Sequence, residues 1–129
     1  MAMNIAVDAN RYVDYCRGLP EVTTVIRTAS RIVMPFITLG EIRGGFRHGS
    51  RSRENERRLV EWIQAERVEI AFADENTTHI YADLFAMLRR QGTPIPTNDL
   101  WIAALVIQND LILFSRDKHF DAIPHLARL

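Results

Sequence analysis

Residues 5–10 read Ile5-Ala6-Val7-Asp8-Ala9-Asn10. Three apolar residues in a row stop abruptly at a carboxylate. A short apolar run without alternation is the pattern of a strand covered on both faces, the usual condition of a parallel sheet. A helical pattern over residues 10–17 follows at once and is closed by Gly18. A second helix opens at Pro20, with Val22, Val25, Ile26 and Ala29 at helical spacing. The same alternation then continues down the chain. Residues 32–36 form a second apolar strand. Thr38 is placed to cap the next helix, with Glu41 three residues on in capping-box spacing, and that helix ends near His48-Gly49-Ser50. A helix over 52–65 sets Leu59, Trp62 and Ile63 against a face of Arg and Glu. A third strand spans 68–72. A helix over 76–91 turns Ile80, Leu84, Met87 and Leu88 inward and stops at Gly92. A Thr97-capped helix runs to 109, a fourth strand spans 112–114, and the tail is predicted to add a short fifth.

Strands alternating with helices predict an α/β fold, a three-layer α/β/α sandwich on a central parallel sheet of four to five strands. Crossovers in such a sheet are right-handed, and ligands bind beyond the carboxyl ends of the strands where the strand order reverses. The 129 residues fit a single domain over 1–129. Composition is that of an ordinary globular chain, 47% hydrophobic and 25% charged. Sixteen basic residues balance 16 acidic ones, so global charge gives no reason to expect nucleic-acid binding and any attraction to phosphate must be local. Cys16 is the only cysteine, which excludes an intrachain disulfide. It reads as a small apolar residue on a helix. No segment has the length of a membrane span or the character of a signal peptide, and a cytoplasmic protein is expected. Met3 is an alternative start, with Met1-Ala2 then an addition ahead of it.

Four acids fall where this topology brings chain segments together. Asp8 ends the first strand, Glu41 and Asp99 lie in the first turns of helices, and Asp117 follows the fourth strand. Each has a structural explanation of its own. Asp8 can cap a helix, Glu41 can complete a capping box, Asp99 can complement a helix dipole, and Asp117 sits in a polar turn. Jointly they occupy one rim of the predicted sheet. Clustered carboxylates repel and need a cation, and oxygen ligands favour a hard divalent ion such as magnesium over zinc. Such an ion eases deprotonation of a bound water and steadies charge on a phosphoryl group.

The segments that carry these acids also resemble the PIN-domain ribonucleases, specifically the toxins of VapBC-type toxin–antitoxin pairs. The resemblance runs through Ile5 to Asn10, Ile37-Thr38-Leu39-Gly40-Glu41-Ile42, Ile95-Pro96-Thr97-Asn98-Asp99-Leu100-Trp101-Ile102-Ala103-Ala104 and Ser115-Arg116-Asp117-Lys118-His119-Phe120. It implies a PIN-like fold and a magnesium- or manganese-dependent endoribonuclease that leaves a 5′-phosphate and a 3′-hydroxyl. Asp8, Glu41, Asp99 and Asp117 match the family's acidic quartet, with Asp8 and Asp99 as the main direct ligands. Thr97, Asn98 and Ser115 match positions that hold the acids in place. Ala9 departs from the Thr or Ser of many relatives, and Asn10 keeps a polar group nearby. The resemblance also implies an RNA substrate, a VapB-type antitoxin partner and a homodimer.

Arg43, Arg47, Arg51 and Arg53 belong to an Arg-rich stretch over 43–58 that either tracks an RNA backbone or forms a solvated face of Glu–Arg pairs. Arg116 and Lys118, beside Asp117, are further phosphate candidates. Gly44-Gly45 marks a close approach by a partner, or an early end of its helix. None of the four histidines is expected to be a metal ligand, His119 being the nearest to one. Trp62 and Trp101 are expected in the core. Two other readings compete: a receiver-like phospho-accepting signalling domain, and a PIN-fold binding module without catalysis. The receiver reading lacks an acid pair after the first strand, since Ala9 and Asn10 follow Asp8.

Overall fold

The computed structural model describes residues 3–129, so the place of Met1-Ala2 lies outside the described residues. In chain order they form β1 (Asn4–Val7), α1 (Ala9–Cys16), α2 (Pro20–Thr28), β2 (Arg31–Pro35), α3 (Phe36–His48), α4 (Ser52–Ile63), β3 (Val68–Ala71), α5 (Glu75–Gln91), α6 (Thr97–Gln108) and β4 (Ile112–Phe114). A 3-10 turn over Lys118–Ala122 follows. The four strands make one sheet in the order β3-β2-β1-β4. Every pairing is parallel, with Ile5 opposite both Ile32 and Ile112, and Ile32 opposite Val68.

Alternation along each strand feeds two cores. Ala6, Val33 and Leu113 face one side, where Leu84 and Leu88 of α5, Ile102 and Val106 of α6, and Phe120, Ile123 and Leu126 cover them. Ile5, Val7, Ile32, Met34 and Phe114 face the other, under Tyr12 of α1, Val22 and Ile26 of α2, Ile42 of α3 and Leu59 of α4. Full burial of each large aliphatic side chain contributes about 1.5–3 kcal/mol. The predicted three-layer α/β/α architecture is therefore the observed one. From β1 the chain moves outward to β2 and β3, then returns past β1 to form β4. The strand order reverses between β1 and β4, which opens a crevice at their carboxyl ends.

Four local expectations need correction. Thr38 does not cap α3, because that helix already begins at Phe36, directly after Pro35, without a side-chain cap. Pro35 ends β2 in an extended conformation, and the helix starts on the next residue. Glu41 is thus freed from a capping box. Thr97 is likewise the first residue of α6 and not its cap, which is Pro96. The tail adds one parallel bridge, Arg128 to Leu113, and no fifth strand. Gly44 and Gly45 do not end α3 early, since it continues to His48, and a Cβ at either would meet nothing within 4 Å. The Gly92 stop of α5 is observed, in the left-handed conformation (φ +75°) that glycine adopts without cost.

Candidate active site

Asp8, Asn10, Glu41, Asp99 and Asp117 line one cleft of about 60 Å³ at the reversal of strand order. β1 delivers Asp8, β4 delivers the loop that carries Asp117, and α3 and α6 deliver Glu41 and Asp99 in their early turns. Residues up to 109 apart in sequence meet because β1 and the edge strand β4 are neighbours and parallel.

Asp8 is 6% exposed and serves two purposes at once. Its Oδ1 accepts from the Arg11 backbone N–H at 2.9 Å and caps α1. Its Oδ2 accepts from the Ser115 hydroxyl at 2.5 Å. The Ser115 oxygen in turn accepts from the Asp117 backbone N–H at 3.0 Å. One serine thereby ties two of the four acids together. Asp117 caps the 3-10 turn by accepting from the His119 N–H at 2.9 Å. The capping roles read from the sequence for Asp8 and the turn role for Asp117 are real, and the same side chains face the cleft.

Burial is the main cause that raises the proton affinity of Asp8, Glu41 and Asp99 above the ordinary carboxylate range. Repulsion among the cluster adds to it: Asp117 acts on all three, Asp8 on Glu41 and Asp99, and Asp99 on Glu41. Ser115 opposes the rise at Asp8, Asn98 at Glu41 and His119 at Asp99. No Lys or Arg is among the cleft-lining residues.

His119 brings a feature that its sequence context barely signalled. Its Nδ1 lies 2.8 Å from Asp99 Oδ2 and 3.2 Å from Asp117 Oδ1. One ligand atom each from Asp99, Asp117 and His119 falls within 4.8 Å of the others. The only sequence signal is its position two residues after Asp117. Among the supporting positions, Ser115 is buried on Asp8, Asn10 lines the cleft, and Asn98 is beside Glu41. Thr97 lines a separate groove with Phe85, Arg89 and Leu100. The Arg-rich stretch forms the end of α3 and much of α4, where Arg43 is paired with Glu56 at 2.8 Å and Arg51 borders a cavity of about 470 Å³.

The donor set fits a hard divalent cation. It consists mainly of carboxylate oxygens, with His119 Nδ1 beside Asp99 and Asp117 as its one nitrogen, and it contains no thiolate.

Residues 5–126 match the family model described as PIN domain. The chain belongs to the PIN-domain family. Within that family it is 37% identical to Ribonuclease VapC1 of Haemophilus influenzae (strain R2866) over 98 residues, which is 74% of this chain and 71% of the relative. The PIN fold superposes on VapBC-1 from nontypeable Haemophilus influenzae with a TM-score of 0.85 at 26% identity, covering 98% of this chain and 97% of the other. It superposes on VapBC2 from Rickettsia felis, solved bound to a DNA fragment from its promoter, with a TM-score of 0.87 at 24% identity and 98% coverage of both chains. That second likeness concerns the fold. Among the described residues of this PIN domain, no helix is long and apolar enough to cross a membrane.

Proposed function

We propose that this chain is a divalent-metal-dependent endoribonuclease, the toxin of a toxin–antitoxin pair, acting as one PIN domain in the cytoplasm. The observation that carries the reading is the convergence of Asp8, Glu41, Asp99 and Asp117 on one cleft at the switch in strand order. The identity to a protein named ribonuclease supports the substrate class. Asp8 and Asp99 would hold magnesium or manganese directly, with Glu41 and Asp117 completing the site. Bound there, the ion supplies positive charge for the phosphoryl oxygens and a more acidic water.

The chain's own groups do the rest. The hydrogen bonds from Ser115 and the Arg11 N–H aim Asp8 and favour its ionised form, against the burial that favours its neutral one. Glu41 is exposed and has a raised proton affinity, which suits it to accept a proton from the attacking water. Water adds to phosphorus as its proton passes to Glu41, the bond to the 3′-oxygen breaks, that oxygen takes up a proton from solvent, and the products carry a 5′-phosphate and a 3′-hydroxyl. Arg47, Arg51 and Arg53 supply further positive charge for the RNA backbone, while Arg43 is already engaged by Glu56.

The partner is a VapB-type antitoxin, in keeping with the similar chains solved as VapBC. A homodimer is part of the same reading. Phe36 and Phe72, at the ends of β2 and β3, stack 6.2 Å apart while Phe72 stays 71% exposed, a surface suited to a second copy. The receiver reading finds no support in Asp74, which follows the edge strand β3 and is spent in the α5 capping box. Incubation of mixed RNA with the protein, with and without chelator, followed by mapping of the new ends, tests the proposal. Cleavage that survives chelation, or ends with 5′-hydroxyls, would overturn it.

A further inference from the structure

Away from the acid cleft, Asp14 on α1 is a carboxylate only 3% exposed. Two arginines meet it. Arg11, one turn earlier, places Nη1 3.4 Å from its Oδ2. Arg116, from the loop after β4, grips both oxygens, with Nε 3.1 Å from Oδ2 and Nη2 3.4 Å from Oδ1. A buried carboxylate needs a counter-charge. Arg11 supplies one and is itself fixed over the Phe114 ring at 4.6 Å. Arg11 is shared with Asp8, on which its charge also acts, while Arg116 is the more exposed of the two arginines and makes the two-point contact.

The Arg116 cation has a specific address. Ser115 and Asp117 turn toward the acid cleft, and Arg116 between them turns outward across α1. Its side chain is 54% exposed, and its Nη1 makes no hydrogen bond among the described residues. The two-point contact with Asp14 fixes the plane of the guanidinium and leaves one edge facing solvent, the arrangement that grips a phosphate. RNA approaching four carboxylates is repelled unless cations at the lip hold its backbone.

We infer that Arg116 contacts an RNA phosphate flanking the one that is cut, and that Asp14 is the positioning residue that holds its guanidinium at the lip of the cleft. This rests on the ribonuclease reading above.

The test is fluorescence anisotropy with a labelled, unstructured single-stranded RNA, using the full chain carrying Asp8→Asn to block cleavage. Across about 50–200 mM salt, Arg116→Ala is expected to weaken binding about tenfold and to flatten the slope of log K against log salt by about 0.7, one single-strand phosphate contact. Arg116→Lys restores the slope while recovering only part of the affinity, because an ammonium cannot make the two-point grip on Asp14. Asp14→Asn weakens binding severalfold with the parental slope, since the cation remains but is no longer held. Arg116→Ala that binds with the parental affinity and slope overturns the inference. If the intact chain still cuts RNA in that case, the ribonuclease reading stands alone. If the slope changes as expected but the intact chain cuts no RNA, Arg116 remains a phosphate contact, and the ribonuclease reading falls together with its placement beside a cut phosphate. A parent that binds no RNA overturns both.

Discussion

The Ser115 hydroxyl donates to Asp8 Oδ2 at 2.5 Å, joining the loop after β4 to the end of β1 across 107 positions of sequence. Because the same oxygen accepts from the Asp117 N–H, a single side chain sets the spacing of two acids. Ser115→Ala removes both contacts and leaves the carboxylates present. Loss of such an outer partner typically costs about 10–100-fold in metal affinity or activity. Manganese titration of Ser115→Ala by calorimetry is expected to show a loss in that range, with the fold intact by circular dichroism. An unchanged affinity would remove Ser115 from the site.

The raised proton affinities of Asp8, Glu41 and Asp99 fix the sign of a pH effect. For these groups the folded state binds protons more tightly than the unfolded state, so their contribution to stability falls as pH rises through the folded values. Glu56, Glu69 and Asp74 have depressed values, chiefly through hydrogen bonds from Arg43, Arg31 and Gln108, and their contribution is lost as pH falls. Without divalent metal, stability is thus expected to peak in the mildly acidic range, above the ordinary carboxylate values of 3.8 and 4.5 and below neutrality. Magnesium at pH 7 should raise the melting temperature more than at pH 5. Thermal melts across that range check both statements, and a metal-free protein most stable at neutral pH would contradict the electrostatic picture.

Gly44 lies inside α3, exposed, with open space where a Cβ would stand. Glycine in a helix interior costs about 1 kcal/mol relative to alanine. Gly44→Ala is therefore expected to stabilise the isolated chain by about 0.5–1 kcal/mol, read from urea denaturation. A destabilised variant would show that the helix is strained there in a way its backbone does not reveal.

Much of this molecule was legible before its structure. The unbroken apolar run at Ile5-Ala6-Val7 identified a strand covered on both faces, a further strand was read over 112–114, and the alternation of elements predicted the parallel sandwich. The four acids were legible because strand ends in such a fold converge. Helix starts at Phe36 and Thr97 were misplaced because a preceding proline launches each helix without a side-chain cap, and cap residues were the signal used. The approach of His119 to Asp99, and of Arg116 to Asp14, joins segments distant in sequence by side-chain direction alone, which no periodicity records.

The central claim is that the acid cleft holds a divalent ion which the chain uses to cut RNA. Asp8→Asn tests it most directly, because the asparagine Oδ1 can still cap α1 while the charge is gone and a donor-only amide nitrogen stands where Oδ2 accepted from Ser115. Cleavage of single-stranded RNA is compared for parent and variant, with magnesium and with chelator. The account predicts cleavage by the parent only with magnesium, none by the folded variant, and a metal-free melting temperature higher for the variant than for the parent. Equal cleavage by the two proteins would contradict it.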